Sequence, residues 1–112
     1  VEIEPMRTFY DYEAKYGTAG TRYHLPPRLD AADVARVEAL GLAAHRALGC
    51  RGATRTDVMF GGGQPIVLEV NTLPGMTATS LVPKVAAATG IPFEELVERI
   101  LDAAAFGPEG QR

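Results

Sequence analysis

Cysteine is almost missing from this chain. The single thiol, Cys50, has no partner, which excludes an intrachain disulfide and fits a reducing cytosol. Set between Gly49 and Arg51-Gly52, it reads as a small hydrophobe where a turn enters a strand. Runs of basic residues are missing too. No block of Lys and Arg exceeds two residues and the formal net charge is -3, so the electrostatic footprint of a nucleic-acid binder is absent. No apolar run approaches the roughly 18 to 20 residues of a membrane span, and the N-terminus lacks the basic-then-apolar pattern of a signal peptide. A soluble chain with no membrane partner is expected. His24 and His45 lack the spacing of a metal pair or a catalytic triad. Gly61-Gly62-Gly63 is not followed by the Lys-Ser/Thr of a phosphate-binding P-loop and reads as a turn. The chain shows neither internal repeats nor low-complexity segments. An initiator methionine is also lacking: Val1-Glu2-Ile3-Glu4-Pro5 alternates apolar and acidic residues like a strand already under way. A piece of a longer chain is therefore expected.

With 112 residues and 46% hydrophobic content, the chain can build at most one core. After the opening strand, Thr8–Tyr23 is rich in Tyr, Gly and Thr without periodicity and reads as a long loop, of the kind that often serves as a lid. A helix should start near Asp30, with Val34, Val37, Leu40, Ala44 and Leu48 on one apolar stripe and Gly49 as its stop. Two strand-like runs follow, Ala53–Phe60 and Ile66–Thr72, joined by the flexible Gly61–Pro65 turn. A loop over Leu73–Thr79 leads into a helix from Ser80 to Thr89, ended by Gly90. Pro92 opens a last helix with Phe93, Leu96, Val97, Ile100 and Leu101 on one side. The fold class is α+β, with an antiparallel sheet and flanking helices. Residues 1–105 are expected to form one subdomain and 106–112 a flexible tail.

The hairpin gathers the most telling residues. Alternation along a strand puts Arg55 and Asp57 on one face and Thr54, Thr56, Val58 and Phe60 on the other; Glu69 and Asn71 oppose Ile66, Leu68, Val70 and Thr72 in the same way. A turn centred near Gly63 pairs Asp57 with Glu69 and Arg55 with Asn71, giving one apolar face and one cluster of acid, acid, amide and guanidinium. A slip of one residue would break this match. Carboxylates facing across a ladder repel, and a cation between them relieves the repulsion. Their hard oxygens suit magnesium, which usually shares its shell with phosphate, so an arginine alongside points to a bound nucleotide. The same pattern also fits a polar hairpin face that merely meets water.

Three flanking features carry weaker signals. Gly75, a few residues after the acidic strand, can bring a backbone N–H close to a substrate oxygen, or can simply belong to a Pro-Gly turn. Ser80-Leu81 stands at a helix start whose free N–H groups suit a carboxylate, or where Ser80 is a plain N-cap. Lys15-Tyr16 in the long loop reads equally as solvated surface.

Taken in order, Tyr10-Asp11-Tyr12-Glu13-Ala14-Lys15-Tyr16, then Gly49-Cys50-Arg51-Gly52 with Arg55-Thr56-Asp57, then Leu68-Glu69-Val70-Asn71-Thr72, Pro74-Gly75-Met76-Thr77 and Ser80-Leu81-Val82-Pro83-Lys84 closely resemble D-alanine:D-alanine ligases. The resemblance runs from about Glu2 to Ala105. It implies the C-terminal half of an ATP-grasp domain, from an enzyme whose ATP phosphorylates one D-alanine so that the amine of a second displaces phosphate. By motif, Asp57, Glu69 and Asn71 would hold two magnesium ions, with manganese as a substitute, on the ATP phosphates. Arg55 would bind the transferring phosphoryl group, the Gly75 N–H would complete an oxyanion site, and Ser80 with the Leu81 N–H would take the second substrate's carboxylate. Lys15 and Tyr16 would belong to a closing loop. The resemblance further implies a cytoplasmic homodimer in peptidoglycan synthesis and an N-terminal part carrying the adenine hinge and glycine-rich lid. The alternative within the same class is a ligase that joins D-alanine to D-lactate or D-serine; Tyr16 resembles the dipeptide-forming type, since the depsipeptide-forming enzymes differ in this loop. An excised domain that binds without catalysis is the alternative of another class.

Overall fold

The computed structural model describes residues 1–5 and 21–107. It separates into two compact units, Val1–Asp30 and Ala31–Arg112, and each is taken by itself. Lys15 and Tyr16 lie outside the described residues.

In the first unit, strand β1 (Glu2–Glu4) pairs antiparallel with β2 (Arg22–His24), with Glu2 opposite His24, Ile3 opposite Tyr23 and Glu4 opposite Arg22. The expectation of loop through Tyr23 is corrected here, because Arg22 and Tyr23 are strand. A three-residue strand is too short to show alternation, and this one is specified by its partner: acids on β1 face bases on β2. Arg28 ties the arrangement together. Its backbone N–H and its Nη2 donate to the Glu2 carboxylate at 2.8 and 2.7 Å, and Nη2 lies 3.1 Å from Glu4. His24 Nε2 is 2.7 Å from Glu4 Oε2. The Arg28 hydrogen bonds hold the Glu2 carboxyl down at about 2, and the His24 hydrogen bond keeps Glu4 below the usual carboxylate range.

The second unit opens with helix α1 (Ala31–Ala47), which starts directly after Asp30 and carries Asp33 in its first turn, where an acid opposes the positive end of the helix dipole. Its stripe of Val34, Val37, Leu40 and Ala44 is half-buried and lies against strands β3 (Arg55–Gly61) and β4 (Gln64–Asn71). Leu48, expected on the stripe, falls past the helix end and is 64% exposed. The chain turns away directly after it: Gly49 has a φ of +66° and the Cys50 N–H donates to His45 O, a left-handed helix stop. A Cβ built on Gly41 would stand 3.7 Å from Thr56 Cβ, and His45 Nδ1 is 2.8 Å from Thr54 Oγ1. These contacts identify the Thr54–Thr56–Val58 face of the hairpin as the one under α1.

Helices α2 (Leu81–Ala88) and α3 (Phe93–Ala103) follow, joined through Gly90 at a φ of +88°. They pack on each other, and Ala86 and Leu96 are the two buried hydrophobic residues among those described. Burying a leucine contributes about 1.5–3 kcal/mol. Of the expected α3 stripe, Leu96 is 8% exposed, whereas Phe93, Val97 and Leu101 are 47%, 42% and 71% exposed. The apolar arc of α3 is wider than the surface α2 offers it. Among the described residues, no helix is long and apolar enough to cross a membrane.

Candidate functional site

The site is built by the hairpin turn. Gly62 and Gly63 have φ of +61° and +77°, the double left-handed geometry of a two-residue turn whose twist matches paired strands. Gly61 pairs with Gln64, Phe60 with Pro65, Met59 with Ile66 and Val58 with Val67. Continued unchanged, this register would put Leu68 opposite Asp57 and turn Glu69 toward α1. The ladder instead shifts between Asp57 and Val58, and beyond the shift Asp57 faces Glu69, Thr56 faces Val70 and Arg55 faces Asn71. Leu68 is the extra residue of a β-bulge, a device that re-aims side chains next to functional sites.

The expected pairings are thus present, although the turn is centred earlier than Gly63 and the bulge makes up the difference. One assignment changes with it. Ile66 pairs with Met59, which has the strand parity of Asp57, so Ile66 lies on the acidic face and not on the apolar one. Met59, Ile66 and Leu68 are each 59% exposed. They form an apolar border to the charged cluster that sequence parity alone missed, though the spacing of Met59 from Asp57 was a usable signal.

Arg55 organises the cluster. Its Nε donates to Asp57 Oδ1 at 2.8 Å and its Nη2 to Asp57 Oδ2 at 3.2 Å, while Nη2 lies 3.5 Å from Glu69 Oε1. One nitrogen therefore lies within 3.5 Å of both carboxylates. Arg55 and Asp57 are 23% and 20% exposed and Glu69 54%. Asn71 Oδ1 accepts the Leu73 N–H at 3.0 Å, fixing the amide and leaving its second lone pair. Among the described residues no three His, Cys, Asp or Glu side chains converge. The donor set is two carboxylates and an amide, all hard oxygens of the kind magnesium takes when phosphate or water completes its shell.

The second half of the site is the loop into α2. Ser80 occupies the N-cap position but makes no side-chain cap bond. Its Oγ instead accepts the Thr77 N–H at 3.0 Å and lies 2.7 Å from Thr77 Oγ1. The plain N-cap reading is set aside by this geometry, and Thr77, not singled out in the sequence, proves to be the partner that fixes Ser80. A Cβ on Gly75 would stand 2.8 Å from Ser80 Oγ, closer than side-chain carbons approach, so any side chain here would force the Ser80 hydroxyl or the backbone to shift. The Leu81 N–H belongs to the first turn of α2, where N–H groups have no intrahelical acceptor.

The arrangement matches a known family over nearly the whole chain. The family model described as D-ala D-ala ligase C-terminus matches residues 1–102. The chain belongs to the D-alanine–D-alanine ligase family. It is 58% identical over 107 residues to the D-alanine–D-alanine ligase of Anaeromyxobacter sp. (strain Fw109-5), covering 95% of this chain and 35% of that relative. It is 56% identical over 106 residues to the ligase of Synechococcus sp. (strain JA-3-3Ab), covering 93% and 33%. The crystal structure of D-alanine–D-alanine ligase from Bacillus anthracis superposes with a TM-score of 0.74 at 42% identity over 90% of this chain and 33% of that one. The same ligase complexed with ATP superposes with a TM-score of 0.65 at 44% identity, covering 69% and 27%. The α+β architecture is thus the ATP-grasp fold of these ligases, and the chain spans about a third of the length of the curated relatives it matches.

Proposed function

We propose that this chain is the metal-, phosphate- and substrate-binding part of an enzyme that joins two D-alanines through an acyl phosphate, at the expense of ATP, to make the D-alanyl-D-alanine of peptidoglycan. The observation that carries the reading is Asp57 facing Glu69 with Arg55 in reach of both, in a chain of this family. Asp57, Glu69 and Asn71 are the groups that would hold magnesium, which supplies positive charge beside the nucleotide phosphates when bound. The guanidinium of Arg55 donates to the phosphoryl oxygens as charge develops there. Met59, Ile66 and Leu68, apolar and exposed beside the carboxylates, suit the flat face of the nucleotide base.

Gly75 contributes a backbone N–H to the oxygen of the tetrahedral intermediate, and a donor placed in this way is worth about 10²–10³ in rate. Ser80 Oγ and the Leu81 N–H take the second D-alanine's carboxylate at the positive end of α2. Lys15 and Tyr16 close the site and exclude water that would hydrolyse the acyl phosphate. The complete enzyme is read as a cytoplasmic homodimer whose remaining chain completes the grip on the adenine and holds the first D-alanine.

Incubation of the complete enzyme with ATP, magnesium and D-alanine should release D-alanyl-D-alanine and phosphate in equal amounts. The 112 residues alone should release neither, because half a cleft loses the orientation of both substrates. Phosphate release without dipeptide by the complete enzyme, or dipeptide with another amino acid in place of D-alanine, would overturn the reading.

A further inference from the structure

Arg55 spends its hydrogen bonds on the oxygens that a divalent cation needs. Both oxygens of Asp57 accept from its rigid fork, at 2.8 and 3.2 Å, and one of the same nitrogens lies 3.5 Å from Glu69. A guanidinium stays charged at any physiological pH and matches a carboxylate edge in a way that a lysine ammonium does not. With Arg55 and Asp57 only 23% and 20% exposed, solvent screens this pair less than an ordinary surface pair.

We propose that Arg55 is an exchangeable counter-ion, held by Asp57 and Glu69 until a phosphate group offers it another anion, and released to that phosphate as metal settles on the carboxylates. The proposal rests on the reading of Asp57 and Glu69 as metal ligands. A cation arriving alone must break two charge-assisted hydrogen bonds and strand a guanidinium. One arriving with nucleotide brings the phosphate oxygens that Arg55 then binds. Metal and nucleotide therefore strengthen each other's binding, by the same factor in both directions, and Arg55 is the part that couples them.

Simple repulsion between Arg55 and the metal would also weaken metal binding, so the test keeps the charge and removes the fork. Arg55→Lys retains one positive charge but cannot grip both Asp57 oxygens. In the complete enzyme without nucleotide, Mn2+ binding followed through the paramagnetic resonance signal of free Mn2+ should tighten roughly tenfold in Arg55→Lys, the scale of a lost charge-assisted competitor. The factor by which the methylene analogue of ATP strengthens Mn2+ binding should fall correspondingly. Mn2+ affinity unchanged or weakened in a folded Arg55→Lys protein overturns the proposal. The unmodified enzyme gives an independent reading: Mg2+ and the analogue added together should shift the Arg55 Nε–H resonance far more than Mg2+ alone at the same concentration, and equal shifts overturn it. A Glu69→Gln control separates the two claims. Mn2+ binding undiminished in Glu69→Gln removes the ligand reading itself, whereas diminished binding there with no gain in Arg55→Lys removes only the exchange.

Discussion

Asp57 stands opposite Glu69 across the β3–β4 ladder although the Gly62-Gly63 turn, left to itself, would set Leu68 in that place. The bulge at Leu68 turns Glu69 outward, beside a guanidinium that already holds Asp57. In the complete enzyme, Glu69→Gln should weaken magnesium-dependent nucleotide binding by about tenfold or more, the scale of one charge-assisted contact. Folding stability should hardly change, since the Glu69 side chain is 54% exposed. Calorimetric titration of nucleotide in magnesium and in chelator checks this. An unchanged difference between the two conditions counts against the metal role.

The turn itself is open to a cleaner test. A Cβ at Gly63 meets nothing within 4 Å, so Gly63→Ala adds only the strain of holding alanine at a φ of +77°. Stability should drop by about 1–2 kcal/mol. The magnesium dependence of nucleotide binding should persist, because the strands between turn and site hold the register. Denaturant unfolding with parallel nucleotide titration distinguishes this from a turn that also sets the site.

Gly75→Ala should act on catalysis before stability. The new Cβ would sit 2.8 Å from Ser80 Oγ, and that hydroxyl is already committed to Thr77. Either Ser80 or the backbone at Gly75 must move, and both are assigned to substrate oxygens. A fall in kcat of about 10²-fold with little change in Tm is expected, on the scale of losing one oxyanion donor. Full activity in Gly75→Ala would remove the loop from the mechanism.

The first unit should respond to acid. Glu2, held at about 2 by the Arg28 hydrogen bonds against an ordinary value of 4.5, binds fewer protons folded than unfolded. Its contribution is complete above pH 4.5 and is lost as pH falls from there through about 2. Glu4, also lowered, acts in the same direction. Amide hydrogen exchange at Ile3 and Tyr23 should therefore quicken on acidification through this window, relative to the intrinsic rate, and Arg28→Ala should flatten that response. Protection that stays constant from pH 5 to pH 2 would show that the β1–β2 pairing does not depend on these carboxylates.

Much of this protein was legible in its sequence because the signals were local. Helical spacing marked α1 and α3, Gly49 and Gly90 marked the ends of α1 and α2, and strand parity put Arg55, Asp57, Glu69 and Asn71 on one face. The ordered motifs were enough to point to the ligase family. Tertiary structure decided what depends on a partner. Strand β2 exists because Arg22 and His24 meet the acids of β1, which no pattern within three residues can announce. Three of the five α3 stripe residues are exposed because burial depends on how much surface α2 presents, not on the stripe's own width. The site depended on both levels: the residues and their parity are written in the chain, but only the pairing of β3 with β4 placed the bulge at Leu68, without which a straight ladder would have turned the Glu69 carboxylate toward α1.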